Sequence, residues 1–263
     1  MFGGGDPVVP NLVAADITIT GNDITRPLTD RGVWGVKNLL ELKSAKRVLI
    51  QGNVMHNNWS DAQVGYGLLI KSVNQDGGCP SCGTTDVTVV GNVLKNSGAG
   101  VNIAGHPEVS PVVVAARITL VDNLIDSLNV GLYSGPGVPL QLLEQATDVM
   151  INHNTFTRGT GNTIMLDGVP MVRLSILATA FAESGYGVRG SGTGTGTVAL
   201  DAFAPGYSFT TNVDVGATCA WYPTTTVCPS SWPSAMPMAS DGKPIGADMN
   251  RISTLTRSAV VAP

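Results

Sequence analysis

Six polar residues of this 263-residue chain, Glu41, Lys71, Asn102, Gln141, Asp167 and Arg189, could act together on one substrate. Each lies in a short segment of alternating apolar residues, so each side chain points away from the apolar side of a strand. Elimination beside a carboxylate needs a cation to neutralise that carboxylate, a base and a proton donor. Lys71 or Arg189 suits the base or the cation, and Asn102 and Gln141 suit hydrogen bonding to hydroxyls. Hydrolysis of a glycosidic bond instead needs two carboxyl groups about 5–9.5 Å apart. If successive segments stack as neighbouring strands, Glu41 and Asp167 lie four rungs apart, roughly 19 Å, and form a poor pair. Asp61 and Asp76, in neighbouring loop sequence, are the carboxylates left to complete one. Of the three histidines, His106 is the acid/base candidate, because it follows an exposed strand; His56 and His153 read as turn or surface residues. Trp59 either stacks on a sugar ring or packs against the chain. The candidate catalytic set is therefore Lys71, Asp76, His106, Asp167 and Arg189. The candidate binding set is Glu41, Trp59, Asp61, Asn102 and Gln141.

What must position these residues is an internal repeat. The unit apolar-x-apolar-x-x-Asn-x-apolar occurs as Ile17-Ile19-Asn22-Ile24, Val48-Ile50-Asn53-Met55 and Val87-Val89-Asn92-Leu94. It returns as Ile118-Leu120-Asn123-Ile125 and Val149-Ile151-Asn154-Phe156, then degraded as Leu174-Ile176-Thr179-Phe181 and Phe209-x-x-Asn212. Alternation of β-branched residues makes a short strand with one inward side. The Asn falls at a sharp bend, where it is expected to accept a left-handed or bridge conformation. Stacked copies would join these amides into a buried ladder. A second strand follows in most units, at 39–43, 66–71, 100–104, 140–143, 163–167 and 186–189. Spacings of 25–39 residues leave no room for a βαβ crossover in every unit.

Charged residues make up 13% of the chain, about half the usual share, with 15 Lys plus Arg against 19 Asp plus Glu. This excludes a disordered chain and a helical bundle, and the lack of a basic excess argues against nucleic acid as a partner. No apolar run is long enough to span a membrane. The N-terminus lacks the basic and apolar segments of a secretory signal, so the chain reads as cytoplasmic or as the body of a longer precursor. Cys79 and Cys82, like Cys219 and Cys228, form short-range pairs in loop-like sequence. Two local disulfides are the better reading and favour an extracellular or periplasmic setting; a four-cysteine zinc site is the alternative. The run 190–197, Gly-Ser-Gly-Thr-Gly-Thr-Gly-Thr, reads as a flexible link with neither a strand before it nor a helix after it.

The units Lys46–Trp59 and Thr85–Leu94 resemble the right-handed parallel β-helix proteins of the pectate-lyase-like superfamily, and 241–248 resembles their closing segment. The resemblance covers about 16–250. It implies an all-β, right-handed parallel β-helix of about seven coils with an internal Asn ladder. The expected layout is a lead-in at 1–15, the helix at 16–215 and a capping tail at 216–263, with Trp221, Tyr222 and Trp232 at the cap. The flat outward columns of such a helix fit an extended polysaccharide, with a lyase expected before a hydrolase and a non-catalytic glycan-binding or structural module as the alternative. No cofactor is demanded, calcium being left open, and the oligomeric state is undetermined.

Overall fold

A computed structural model describes residues 1–260 apart from Val36, Ala62, 107–111, Arg158 and Ser184. The repeat units become the coils of a parallel β-helix with three sheets. The first sheet stacks Ala14–Thr20, Ala45–Gln51, Thr85–Val90, Ala116–Val121, Thr147–Asn152, Val172–Leu177 and Ser208–Thr210 in that order. The second stacks Asp23–Thr25, Val54–Asn58, Val93–Ser97, Leu124–Leu128, Thr155–Phe156, Ala180–Ala182 and Val213–Val215. The third stacks Leu40–Leu42, Leu68–Lys71, Val101–Ala104, Leu140–Leu143, Ile164–Asp167 and Val188–Gly190. Every strand pairs in parallel with the corresponding strand of the adjacent coil. The second sheet holds the apolar residue that ends each repeat unit, a strand too short to stand out from the bend in the sequence.

Inward residues from all three sheets fill one continuous core. Ile50, Met55 and Ile70 contribute from one coil, Leu120, Ile125 and Leu142 from another. The Asn residues form the expected ladder. The Oδ1 of Asn53, Asn92, Asn123 and Asn154 each accepts both the backbone N–H and the side-chain N–H of the Asn one coil before it, at 2.9–3.0 Å. At the sixth coil Thr179 Oγ1 takes over, accepting from Asn154 N at 3.4 Å, and Thr179 N donates to Asn212 Oδ1 at 2.9 Å. The left-handed residue is not the Asn itself but the one before it: Gly21, Gly52, Gly91, Asp122, His153, Ala178 and Thr211 all have φ between +44° and +64°. This reversal turns the Asn side chain inward over the bend.

A second column of positive φ runs along the first sheet: Asp16, Arg47, Asp86, Arg117, Asp148 and Arg173. Acid and base alternate down this column. Arg47 forks onto Asp16, Arg117 onto Asp86 and Arg173 onto Asp148, each through two N–H groups. The guanidinium beside Asp86 holds its carboxyl at about 2. These pairs are largely exposed, so the solvent-discounted worth of Asp86–Arg117 is no more than about 1 kcal/mol.

The tail does more than close the last coil. After Val227 pairs with Val213, the chain runs back along the bend column towards the first coil. Gly246 N donates to Ala178 O, Asp122 accepts from Asp248 N and pairs with Arg251, and Ser258 Oγ donates to Gly21 O. His153, expected at a turn or surface, is buried beneath this strap. It contacts Pro244 O at 3.0 Å and Asp241 at 3.0 Å. Helix α1 spans Val130–Tyr133, α2 Thr197–Phe203, α3 Met249–Leu255 and α4 Arg257–Val260. Leu255 of α3 lies over Gly52, where a Cβ would sit 2.4 Å from the Leu255 carbonyl oxygen. Gly52→Ala, at φ +62°, is therefore expected to cost roughly 2–3 kcal/mol in denaturant unfolding. An effect within 0.5 kcal/mol would detach the strap from this account.

The 190–197 run departs from its expectation. The strand Val188–Gly190 leads in and α2 leads out, with Arg189 bridged to Thr195. Glycine at φ +66° (Gly192) and +67° (Gly196) folds the run into a tight connection, and Trp221 O occupies the space a Cβ at Gly196 would need.

Candidate functional site

The outward side of the third sheet carries the residues singled out above. Its in-register columns are Glu41-Leu69-Asn102-Gln141-Met165-Arg189 and Lys71-Ala104-Leu143-Asp167, with Lys43 just past the end of the Leu40–Leu42 strand. Arg189 pairs with Met165 and so stands in the Glu41 column, not in the column of Lys71 and Asp167. Asn102 Nδ2 donates to Gln141 Oε1 at 2.7 Å, and the Tyr66 hydroxyl donates to the same oxygen. Burial pushes the Tyr66 phenol up to about 12, so it stays a donor. Burial also pushes the Glu41 carboxyl up, but hydrogen bonds from Asn38 and Lys43 outweigh it and hold the group below the usual range. Lys43 lies 3.1 Å from Glu41.

The remaining candidates are dispersed. Lys71 and Asp167 share a column but stand three rungs apart, about 14 Å. Asp167 accepts from Gly168 N at 2.8 Å. Arg189 sits over the Tyr186 ring, 4.4 Å from its centre. Asp76 is exposed in the loop just before the Cys79–Cys82 disulfide, and Asp61 is exposed in the loop after Trp59. His106 N donates to Glu144 O at the end of its strand. Trp59 is fully buried against Tyr133, so its indole is no surface platform, and Asn102 keeps only 6% of its surface. Both expected disulfides are formed, with Cα separations of 5.3 Å for Cys79–Cys82 and 5.6 Å for Cys219–Cys228. Among the described residues no group of three or more His, Cys, Asp or Glu is gathered to hold a metal. No described helix is long and apolar enough to cross a membrane.

A cleft lies one corner away, where the chain passes from the second sheet to the third. This groove, of about 720 Å³, is lined by Asn96, Ser127, Asn129, Leu132, Tyr133 and Thr160 among others. Its walls come from four successive coils, so it runs along the helix axis for roughly 14 Å. Its described lining carries amides, hydroxyls and two apolar side chains but no charge. Local structure fixes several of these groups. Asn129 Oδ1 caps α1 by accepting from Leu132 N at 3.0 Å, and Thr160 Oγ1 accepts from Val130 N at 3.2 Å. Trp59 supports the floor from beneath through Tyr133. Asn96, Ser127 and Leu128 lie near the ends of second-sheet strands and the other groove residues in α1 or turns, so strand periodicity does not mark them. Recurrence of Asn57, Asn96 and Ser127 at φ +52° to +61° in consecutive coils is the signal that could have done so.

A second feature is chemical. Asp214 aligns with Phe181 in the second sheet, in the inward column otherwise held by Met55, Leu94, Ile125 and Phe156. It has no exposed surface, and burial next to the Glu183 carboxylate raises it to about 8. The repeat itself signals this residue, since two positions after Asn212 an apolar side chain is due and an acid stands there. Comparison with family models, with curated proteins and with solved structures finds no match to this chain.

Proposed function

We propose that this β-helix binds an extended polysaccharide along the groove at the corner between its second and third sheets. The supporting observation is the groove's shape and lining: four coils long, open, and furnished with amides and hydroxyls beside Tyr133 and Leu132. Sugar rings offer hydroxyls for such groups and apolar ring faces for such side chains. The described lining carries no charged side chain, which favours a neutral chain. The disulfides suit an extracellular or periplasmic setting, and the pectate-lyase-like likeness belongs to this same reading.

A second reading is elimination from an acidic polysaccharide on the third sheet. It rests on Lys71 at the end of its strand and Lys43 just after the neighbouring one, cations that suit a uronate carboxylate. Affinity electrophoresis against neutral and acidic polysaccharides, with absorbance of unsaturated uronides followed in parallel, separates the two. Retarded migration in a neutral polysaccharide, weakened at least five-fold by Leu132→Asp with an unchanged melting temperature, is the expected result. Leu132 is 58% exposed, so the substitution leaves the core intact. Uronide release without neutral-chain binding would replace this reading with the second.

A further inference from the structure

The C-terminal end of the coil stack encloses polar groups that the polysaccharide reading leaves unused. Asp214 points inward beneath Tyr222, whose ring stacks on Phe209 with centroids 6.0 Å apart. The Tyr222 hydroxyl accepts from Val188 N at 3.1 Å. Glu183, just after the strand that pairs with Asp214's own, approaches from the same side. A Cβ placed on Gly187 would lie 2.2 Å from Tyr222 Oη and 3.4 Å from Glu183 Cδ, so glycine keeps this space for the two polar groups. Both carboxylate oxygens of Asp214 and the Oε2 of Glu183 are buried and make no close hydrogen bond, with the Tyr222 hydroxyl the donor beside Asp214.

Three buried oxygens on two neighbouring acids need compensation. The Tyr222 hydroxyl donates towards Asp214 and a shared proton can join the two acids, but only a cation holds both carboxylates together in their charged form. A cation satisfies all three. The donor set is oxygen alone, which suits a hard cation of flexible coordination and not zinc or copper. Glu183 also lines a cleft of about 440 Å³ with Ser230, Ser231 and Trp232, which gives an ion and its waters a way in.

We propose that Asp214 and Glu183, with the Tyr222 hydroxyl beside them, bind a calcium-class divalent cation that locks the C-terminal cap onto the last coil. The site is separate from the corner groove and from the third-sheet columns. The probe is terbium, whose luminescence is sensitised by a nearby excited phenol or indole. Titration of the full chain is expected to give saturable sensitised emission at one equivalent, reversed by calcium. Asp214→Asn and Glu183→Gln are each expected to weaken binding at least ten-fold, while Asp201→Asn, an exposed acid on α2, leaves it unchanged. As a measurement independent of the variants, 1 mM calcium is expected to raise the wild-type melting temperature by several degrees. Absence of sensitised emission, emission indifferent to both substitutions, or a melting temperature unmoved by calcium would each overturn the proposal.

Discussion

Asn92→Ala is expected to destabilise the chain by about 3–5 kcal/mol, measured by denaturant unfolding. The Asn92 amide sits in the middle of the ladder and is almost fully buried. Its Oδ1 accepts from Asn53 N at 2.9 Å and from Asn53 Nδ2 at 3.0 Å. Its Nδ2 donates to Ile50 O, Val90 O and Asn123 Oδ1. Alanine fills none of these roles, so backbone groups on two coils lose partners where water does not reach. Each orphaned group costs about 1–3 kcal/mol, which is why the total exceeds the worth of the bonds themselves. Asn22, at the exposed end, only donates to Thr20 O and Asn53 Oδ1. Asn22→Ala is expected to cost about 1 kcal/mol. Equal costs at the two positions would mean that the ladder is not the stabilising spine described above. Asn123→Thr should fall between them, because Thr179 already fills one rung with a hydroxyl.

The second large effect is on the dependence of stability on pH. With divalent cations chelated, stability is expected to fall as pH rises from about 4 to 8. Asp214 has a folded value of about 8 against an ordinary carboxylate near 3.8. Between those values the folded chain holds a proton that the unfolded chain has lost. Linkage then makes unfolding easier as pH rises, by up to about 1.4 kcal/mol per unit. Below the unfolded value both states are protonated and the penalty is absent; above about 8 it is complete. Burial raises Glu183 as well, and its charge acts on Asp214 in the same sense. Asp214→Asn removes the proton and should flatten the profile across this window, leaving the variant more stable than wild type by a few kcal/mol at pH 8. The surface carboxylates act elsewhere: Asp86 and Asp148 are depressed by their arginines, so their contribution is lost only as pH falls below the ordinary carboxylate range. A profile that rises from pH 4 to 8, or that Asp214→Asn leaves unchanged, would contradict the burial of an acid in this column.

The architecture was legible because two periodicities coincide in this sequence. Alternation identifies the strands of the first and third sheets, and the Asn after each alternating run identifies the bend. The second sheet was harder to see, since most of its strands carry one or two core residues next to the bend. The Asp–Arg column was also missed, although Asp16, Arg47, Asp86, Arg117, Asp148 and Arg173 all precede the first inward residue of their repeats. Reading those positions across units, instead of along each strand, exposes the alternation of sign. The site was less legible. Outward residues of a strand are easily found, but whether a groove lies above them depends on the loops between sheets. Here α1 and the neighbouring turns raise the groove walls at the corner, away from the columns that held the candidate residues. Trp59 illustrates the same limit: of its two readings, packing against the chain holds, but nothing in the loop sequence names Tyr133 as the residue that covers it.

The proposed place of an extended sugar chain is the corner formed by Asn96, Ser127–Tyr133 and Thr160. Hydrogen–deuterium exchange, with and without a saturating neutral oligosaccharide identified by the electrophoresis panel, tests that placement directly. Slowed exchange confined to 127–133 and the adjoining turn at 159–161 is the expected result. Slowed exchange on the third-sheet strands instead, or none at this corner while the oligosaccharide is bound, would contradict it.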